Sequence, residues 1–207
     1  MWRLATPWPL LFAPFVVFAQ QNQQQPPPPP PPPGEPVYRF YSTVFGTSAI
    51  KPGGLTGLVY ELPAGTAYLP SFKRMRPVSK IYATSLNIPS QNFDSGFPGV
   101  PGRFEWFAID YTGNFWISKP GKYRFTLLSD DGSILFIDGH RVIDNDGIHP
   151  PLPVKGSISL KAGQHSIRIA YFQGPRYQLA LTLHIAPPGE PMRIFDTDQF
   201  APPPGGE

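Results

Sequence analysis

Hydrophobic and polar residues alternate with a period of two along much of the chain. From Phe107 to Ile117 apolar residues recur at every second position, and polar residues occupy most positions between them. Successive side chains of a β-strand point to opposite faces, so this pattern predicts one long strand with a buried side. Gly113 stands on the apolar face and predicts a bulge or a close approach of another backbone.

Shorter alternating segments follow, separated by turn residues. Asp138-Gly139 predicts a two-residue hairpin turn, because such turns need positive φ angles, and Pro120-Gly121 marks another turn. No segment shows a helical period, which favours an all-β sandwich or barrel. The predicted strands cover residues 123–129, 133–137, 141–143, 157–160, 165–172 and 178–185, with a loop over 144–153.

The stretch from Tyr68 to Gly102 is rich in proline and glycine and only weakly periodic. It predicts long surface loops with one or two strands. Loops of this length in a compact domain often carry function, because the rest of the fold positions them.

Low-complexity segments flank the predicted domain. Residues 1–19 hold a basic residue, an apolar run too short to span a membrane and a small residue at Ala19, which predicts a signal peptide. Residues 20–36 contain glutamines and then eight consecutive prolines, which predicts a stiff polyproline II spacer. The domain is predicted over residues 37–200, with a Pro/Gly-rich tail at 201–207. We expect a protein that is secreted, periplasmic or on the cell surface.

The composition excludes several kinds of site. The chain has no cysteine, which excludes disulfides, a thiol nucleophile and thiolate metal sites. Its formal net charge is +3, and its densest basic cluster is Lys73, Arg74 and Arg76, so no basic stripe predicts a nucleic-acid partner. No later apolar stretch is long enough to predict a transmembrane segment.

Five short motifs stand in a fixed order along the domain. They are Gly57–Tyr60, Ser129–Ser133, Ile137–Gly139, Val142–Gly147 and Gly163–Phe172. In this order they resemble the protective-antigen domain family, the PA-fourteen β-sandwich of adhesins, flocculins and some glycosidases. The resemblance implies an all-β fold, an antiparallel, jelly-roll-like β-sandwich with long surface loops, in a family that serves sugar binding, toxin assembly and surface structure. Residues 87–99 and 104–107 are similar to its fibro-slime variant.

Acidic residues concentrate in one part of the domain. Five of the 14 acids lie within 17 residues, from Asp130 to Asp146. Neighbouring side chains of a regular strand point to opposite faces, so Asp130 and Asp131 share one side only if the peptide between them is cis. The resemblance implies this arrangement, with Ca²⁺ held by two carboxylates and two sugar hydroxyls. The alternative is a tight turn whose carboxylates accept hydrogen bonds from local backbone N–H groups.

A second loop of the family's sugar-binding members carries an asparagine where this chain has Gln173. The resemblance implies that Gln173, Gly174 and Arg176 contact carbohydrate, although the glutamine is one methylene longer and Arg176 brings a positive charge near any cation. Asn145 and Asp146 form a weaker cation candidate, because oxygens stand at alternate positions there but the distal glutamate of an EF-hand is missing. A turn-rich connector is the alternative.

No catalytic constellation is visible in the sequence. No serine has the glycine context of a nucleophile elbow, no Walker-type loop occurs, and no carboxylate pair is placed around a substrate cleft. We therefore expect a binding protein, not an enzyme. The first hypothesis is an exported, lectin-like carbohydrate-binding or adhesion module for a glycan or cell-surface polysaccharide, with Ca²⁺ as cofactor. The alternative is a structural surface module with no small ligand, which contacts another surface protein.

Overall fold

The described part of the chain is almost entirely β-structure. The computed structural model describes residues 41–45, 54–92, 96–100, 102 and 105–203. The predicted signal peptide (1–19) and spacer (20–36) lie outside these residues and stay predictions. Within the described ranges, no helix is long and apolar enough to cross a membrane.

Twelve strands and two short 3₁₀ helices make up the regular structure of the described residues. The strands are β1 (Tyr41–Phe45), β2 (Leu55–Glu61), β3 (Ser79–Ala83), β4 (Asn87–Asn92), β5 (Phe107–Ile117), β6 (Gly121–Asp130), β7 (Ser133–Ile137), β8 (His140–Asn145), β9 (Leu152–Leu160), β10 (Gly163–Gln173), β11 (Gln178–Ala186) and β12 (Arg193–Ile194). The 3₁₀ helices cover Phe72–Arg74 and Thr197–Phe200. The predicted strands at 107–117 and 133–137 are confirmed with the same bounds, as β5 and β7.

The strands form two sheets that enclose a common core. The larger sheet has seven strands in the order β1-β3-β2-β5-β10-β7-β8. The smaller sheet has the order β12-β11-β6-β9, and β4 also pairs with β11. Every pair of strands is antiparallel except β1 with β3. The structure therefore confirms the predicted antiparallel β-sandwich.

The core takes alternate residues from the strands of both sheets. Ile109 and Phe115 of β5 are buried in one cluster with Leu183 of β11. Gly113 lies on the same face of β5, and a Cβ there would stand 3.0 Å from Cδ2 of Leu55. The pairing of β5 with β10 is unbroken at this glycine, and its pairing with β2 ends at Thr112, so Gly113 marks a close approach of β2 and not a bulge.

A separate apolar cluster covers part of the outer face of the larger sheet. Leu62, Ala108 and Phe172 are buried in it, and Phe72 and Trp106 pack against it at intermediate exposure. The β2–β3 connection therefore lies over the sheet. The predicted loops with one or two strands between residues 68 and 102 are confirmed, since β3 and β4 fall in this stretch.

The predicted loop over residues 144–153 is too long. The strand β8 runs to Asn145 and β9 already begins at Leu152. β9 is the edge strand of the smaller sheet, and an edge strand tolerates Pro153, which has no N–H group to donate. The predicted hairpin turn is confirmed, with φ of 48° at Asp138 and 75° at Gly139.

Candidate functional site

Several connections between strands meet at one end of the sandwich. The β6–β7 connection holds residues 131–132, the β8–β9 connection residues 146–151 and the β10–β11 connection residues 174–177. The β2–β3 connection joins them through the N–H of Leu69, which donates to the carboxylate of Asp146 (2.9 Å). This end therefore brings together predicted site residues that are far apart in the sequence.

The aspartate pair lies among these connections. The peptide bond between Asp130 and Asp131 is cis, and both residues are buried. The carboxylate of Asp131 is held from two sides: Oδ2 accepts the N–H of Gly174 (2.7 Å), and Oδ1 accepts the N–H of His149 (3.2 Å). These donors are 43 and 18 residues away. The alternative of a turn that relies on local N–H donors is therefore not the arrangement found.

The two buried carboxylates disfavour each other's charge. Burial, and after it the charge of Asp131, raises the pKa of Asp130 to about 7, against the opposing effects of His149 and Gln173. Burial also raises the pKa of Asp131, although its hydrogen bonds from Gly174 and His149 act in the opposite direction. A cation or a ligand rich in donors would relieve this repulsion, because it stabilises the charged forms.

Gln173 has a fully buried side chain with partners at both ends of its amide. Its Oε1 accepts a hydrogen bond from the hydroxyl of Tyr171 (2.6 Å). Its Nε2 lies within reach of three oxygens, of Gln178 (3.0 Å), Pro175 (3.3 Å) and Asp131 (3.4 Å). Three oxygen neighbours assign the nitrogen to this side of the amide. Gln173 therefore presents a donor to the aspartate, and its predicted contact with a sugar stays a prediction.

The rest of the β10–β11 connection is packed at its base and exposed at its tip. A Cβ on Gly174 would stand 3.1 Å from Oδ2 of Asp131, which leaves little room for a side chain. Trp106 donates its backbone N–H to the carbonyl of Gly174 (3.3 Å). Its backbone is in the left-handed region, with φ of 56°. Arg176 and Tyr177 are exposed at the tip. The predicted site residues Gly174 and Arg176 thus lie on one connection, and Gly174 is hydrogen-bonded to the pair.

A comparison of the sequence with protein families decides what kind of domain carries this site. The model of the PA14 domain matches residues 64–198, well over half of the chain. This chain belongs to the PA14 domain family. The match confirms the resemblance drawn from the sequence motifs, while the likeness to the fibro-slime variant stays a prediction. No curated protein matches this PA14 chain.

Solved structures that share the fold include other PA14 domains. The PA14 sugar-binding domain from an RTX adhesin matches with a TM-score of 0.60 at 19% identity, over 72% of this chain and 97% of that one. An anti-sigma factor domain-containing protein gives 0.57 at 21% identity over 75% of this chain, which spans only 50% of that protein. The epithelial adhesin 9 A domain from Candida glabrata, in complex with Galβ1-3GlcNAc, gives 0.53 at 15% identity, covering 72% and 88%. At these identities the likeness shows the fold alone.

The second cation candidate of this PA14 domain, Asn145 with Asp146, is hydrogen-bonded to neighbouring strands and connections. Nδ2 of Asn145 donates to Oγ of Ser129 and to the carbonyl of Leu152, both at 2.9 Å. Oδ1 of Asp146 accepts the N–H of Leu69 at the same distance. These bonds suit a turn-rich connector, and no group of three acidic or histidine side chains able to hold a metal ion occurs in the part of the chain described. A cation at Asn145 and Asp146 stays a prediction.

Sequence reasoning missed a set of exposed side chains around the aspartate pair, here called the hydrophobic rim. Tyr68, Ile148 and Tyr177 expose 68%, 48% and 81% of their surface, on three different connections. The ring of Tyr68 lies beside the β8–β9 connection, since a Cβ on Gly147 would stand 3.8 Å from its Cε1. The signal that could have found them is a large hydrophobic residue in a turn-rich segment without the alternating neighbours of a buried strand.

The pair fits a calcium ion through its aspartates alone. Ca²⁺ takes six to eight oxygen ligands, and Asp130 and Asp131 offer two adjacent buried carboxylates. Oδ1 of Asp131 accepts one hydrogen bond and keeps a second lone pair, while Oδ2 accepts the N–H of Gly174 and a longer bond from Gln173. Gln173 turns its nitrogen and not its oxygen toward Asp131. The protein would therefore hold the ion by the aspartates, and a ligand would supply further oxygens.

Proposed function

We propose that this PA14 domain binds carbohydrate at Asp130 and Asp131 and serves in adhesion. The observation that carries the proposal is the buried carboxylate pair, at the end of the sandwich that also bears the hydrophobic rim. The N–H groups of Gly174 and His149 hold the Asp131 member of this pair. Concentrated acceptors beside exposed aromatic rings suit a sugar, because a sugar has hydroxyl donors and an apolar C–H face.

Each group has its own task in this proposal. Asp130 and Asp131 would hold Ca²⁺, which when bound supplies positive charge and open coordination positions for two sugar hydroxyls. The N–H groups of Gly174 and His149 keep the carboxylate of Asp131 in one orientation. Gln173 fixes the base of the β10–β11 connection through its bonds to neighbouring carbonyls.

The exposed tips of the connections would contact the body of the sugar. Tyr68 and Tyr177 offer ring faces for its C–H groups, and Arg176 offers donors for its hydroxyls. A site with so few contacts binds one monosaccharide weakly, with a Kd near the millimolar range, or about −4 kcal/mol. Many copies displayed together would raise the apparent affinity through multivalency.

The similar structures support this proposal in a general way. One is described as a sugar-binding domain of an adhesin and another as an adhesin domain in complex with a disaccharide. We infer that the partner is a glycan or a cell-surface polysaccharide and that the chain binds it without catalysis. We also infer export through the signal peptide at 1–19, with the proline-rich spacer at 20–36 holding the domain away from a surface.

The site is tested by removing one charge from the pair. Clustered wild-type protein on an array of mono- and oligosaccharides, with millimolar Ca²⁺, is expected to bind at least one saccharide and to release it in chelator. Asp130→Asn keeps the shape of the side chain and is expected to abolish this binding. The matched control is Glu190→Gln, which removes a carboxylate that is paired with Arg193. Glu190 lies beside the first residues of β6, at the opposite end of that strand from Asp130.

Three outcomes of the array separate the alternatives. Binding that survives Asp130→Asn would contradict the assigned site. Binding that persists in chelator but is lost in Asp130→Asn would keep the sugar site and remove Ca²⁺ from it. A blank array for folded wild-type protein would overturn the proposed function as a whole.

A structural surface module is the second candidate function. The observation in its favour is that both carboxylate oxygens of Asp131 already accept backbone hydrogen bonds, as a purely structural aspartate does. This candidate predicts a blank array. It also predicts that changes in the connections between Tyr68 and Gly102 disrupt an assembly with another surface protein.

A further inference from the structure

A cleft of about 520 Å³ lies on the outer face of the larger sheet, and it is called here the cross-strand cleft. Its floor is formed by four adjacent strands, with Tyr60 on β2, Asp110 on β5, Arg168 on β10 and Phe136 on β7. Adjacent strands are about 4.8 Å apart, so the floor extends across about 14 Å. Phe72, in the β2–β3 connection, forms part of the wall. This size falls in the range of small-ligand sites.

The floor of the cross-strand cleft combines charged and aromatic groups. Nε of Arg168 donates to Oδ1 of Asp110 (2.7 Å), and the guanidinium carbon lies 5.7 Å from the ring centre of Phe72 and 5.2 Å from that of Phe136. A guanidinium has five N–H donors and a carboxylate about four acceptor positions, so this ion pair can bind further polar groups. The two phenylalanine rings are only partly buried. The cleft thus offers donors, acceptors and apolar faces together.

The cleft begins beside the aspartate pair. Asp146 lines it, and Oδ1 of Asp146 lies 2.9 Å from where a Cβ on Gly132 would stand. Gly132 directly follows Asp131 in the chain. The wall is tied to the same place, because the N–H of Leu69 donates to Asp146. The residue that follows Asp131 therefore lies against a residue that lines the cleft.

We propose that the cross-strand cleft holds additional rings of a saccharide whose terminal ring binds at Asp130 and Asp131, so that this domain selects oligosaccharides over monosaccharides. The inference rests on the proposed function and adds its ligand class. The charges that line the cleft are balanced, with Asp110 and Asp146 against Lys73 and Arg168, which favours a neutral chain over a charged polymer. Sugar hydroxyls pair with the Asp110–Arg168 ion pair, and C–H faces pack on the aromatic rings.

The test compares one oligosaccharide with its own terminal monosaccharide. The oligosaccharide that binds most strongly on the array, and the monosaccharide at its end, are titrated calorimetrically against four proteins: wild type, Phe136→Ala, Asp110→Asn and Thr112→Ala. Thr112 is the matched control, because it pairs with Arg168 on the same sheet but is exposed and does not line the cleft. We expect wild type to bind the oligosaccharide about tenfold more tightly than the monosaccharide.

The two cleft variants are expected to lose this tenfold preference and to keep the monosaccharide affinity, while Thr112→Ala keeps both. Equal wild-type affinities for the two saccharides would overturn the cleft and leave the proposed function standing. The cleft proposal would also be overturned if the two cleft variants kept the preference for the oligosaccharide. It would be overturned likewise if they lowered the affinities for both saccharides equally. Two variants are used because Asp110→Asn leaves the apolar packing intact, so its result stands even if Phe136→Ala lowers the melting temperature. A blank array for wild type ends both proposals. Asp130→Asn is expected to remove binding of both saccharides, because the terminal ring binds at the pair.

Discussion

At the scale of single residues, the burial of the aspartate pair lowers the stability of the folded state at neutral pH. Asp130 is buried next to a second carboxylate, and its pKa is raised to about 7, whereas an unfolded aspartate titrates at about 4. Between these values the folded protein binds more protons than the unfolded chain, so stability falls as pH rises through this window. Above pH 7 the folded state carries the whole penalty of the charged group.

Replacing the charge of Asp130 is therefore expected to stabilise the domain. In chelator at pH 8, Asp130→Asn should increase the free energy of unfolding by roughly 1–2 kcal/mol, and near pH 4 the difference should vanish. Urea denaturation of wild type and variant across this pH range measures the difference. A variant that is less stable than wild type at pH 8 would show that the carboxylate makes a net stabilising contact, contrary to this account.

The residues of the candidate site could be predicted from the sequence where they are adjacent in the chain. Asp130 and Asp131 are adjacent, and the motif around Gln173 and Gly174 is continuous, so the sequence places them. The orientation of the Gln173 amide follows from a hydroxyl and three oxygens contributed by the folded chain, which no local pattern encodes. The hydrophobic rim was missed for a related reason, because the periodicity of hydrophobic residues detects the buried faces of strands and not the exposed tips of loops.

At the scale of elements, the sequence pattern predicted the strictly alternating strands correctly. It predicted too short a strand at the edge of the smaller sheet. β5 and β7 alternate between buried and more exposed residues over most of their length, so the pattern predicts their bounds. β9 is exposed along much of its length and contains Pro153 and Gly156, which resemble a loop in composition. The cross-strand cleft could not be predicted at all, because its floor combines four strands whose order in the sheet differs from their order in the chain.

Gly156 gives a sharp test of how β9 packs on β8. A Cβ at this position would stand 2.3 Å from the carbonyl oxygen of Val142 and 2.6 Å from Cγ1 of Ile143, so backbone would have to move. Gly156→Ala is expected to destabilise the domain by about 2–3 kcal/mol, measured as a shift of the urea midpoint. Lys155→Ala, on the exposed face of the same strand, is the control and should change stability by less than about 0.5 kcal/mol. Similar effects of both variants would mean that β9 does not pack closely on β8.

At the scale of the whole molecule, the two sheets form the sandwich and the connections at one end carry the proposed site. If Ca²⁺ binds the folded form through the pair, it should stabilise the entire domain by linkage. At a Ca²⁺ concentration of 100 times its Kd, the gain is about 2.7 kcal/mol. The melting temperature of wild type should therefore rise with Ca²⁺, and Asp131→Asn should abolish the rise while Glu190→Gln preserves it. Equal melting temperatures of wild type in chelator and at several Ca²⁺ concentrations would remove the ion from the site.

The way in which Asp131 is held has a consequence for how such sites diversify. Its two shortest hydrogen bonds come from backbone N–H groups, at residues 149 and 174, and every amino acid except proline can supply that donor. Holding the carboxylate of Asp131 therefore places almost no demand on the side chains at the tips of the two connections, apart from the tight space at Gly174. Ile148 and Tyr177, which are exposed at these tips, can therefore be replaced without removing either donor. If the pair binds sugar as proposed, substitutions at these tips would change the preferred sugar and leave the hydrogen bonds that hold Asp131 in place.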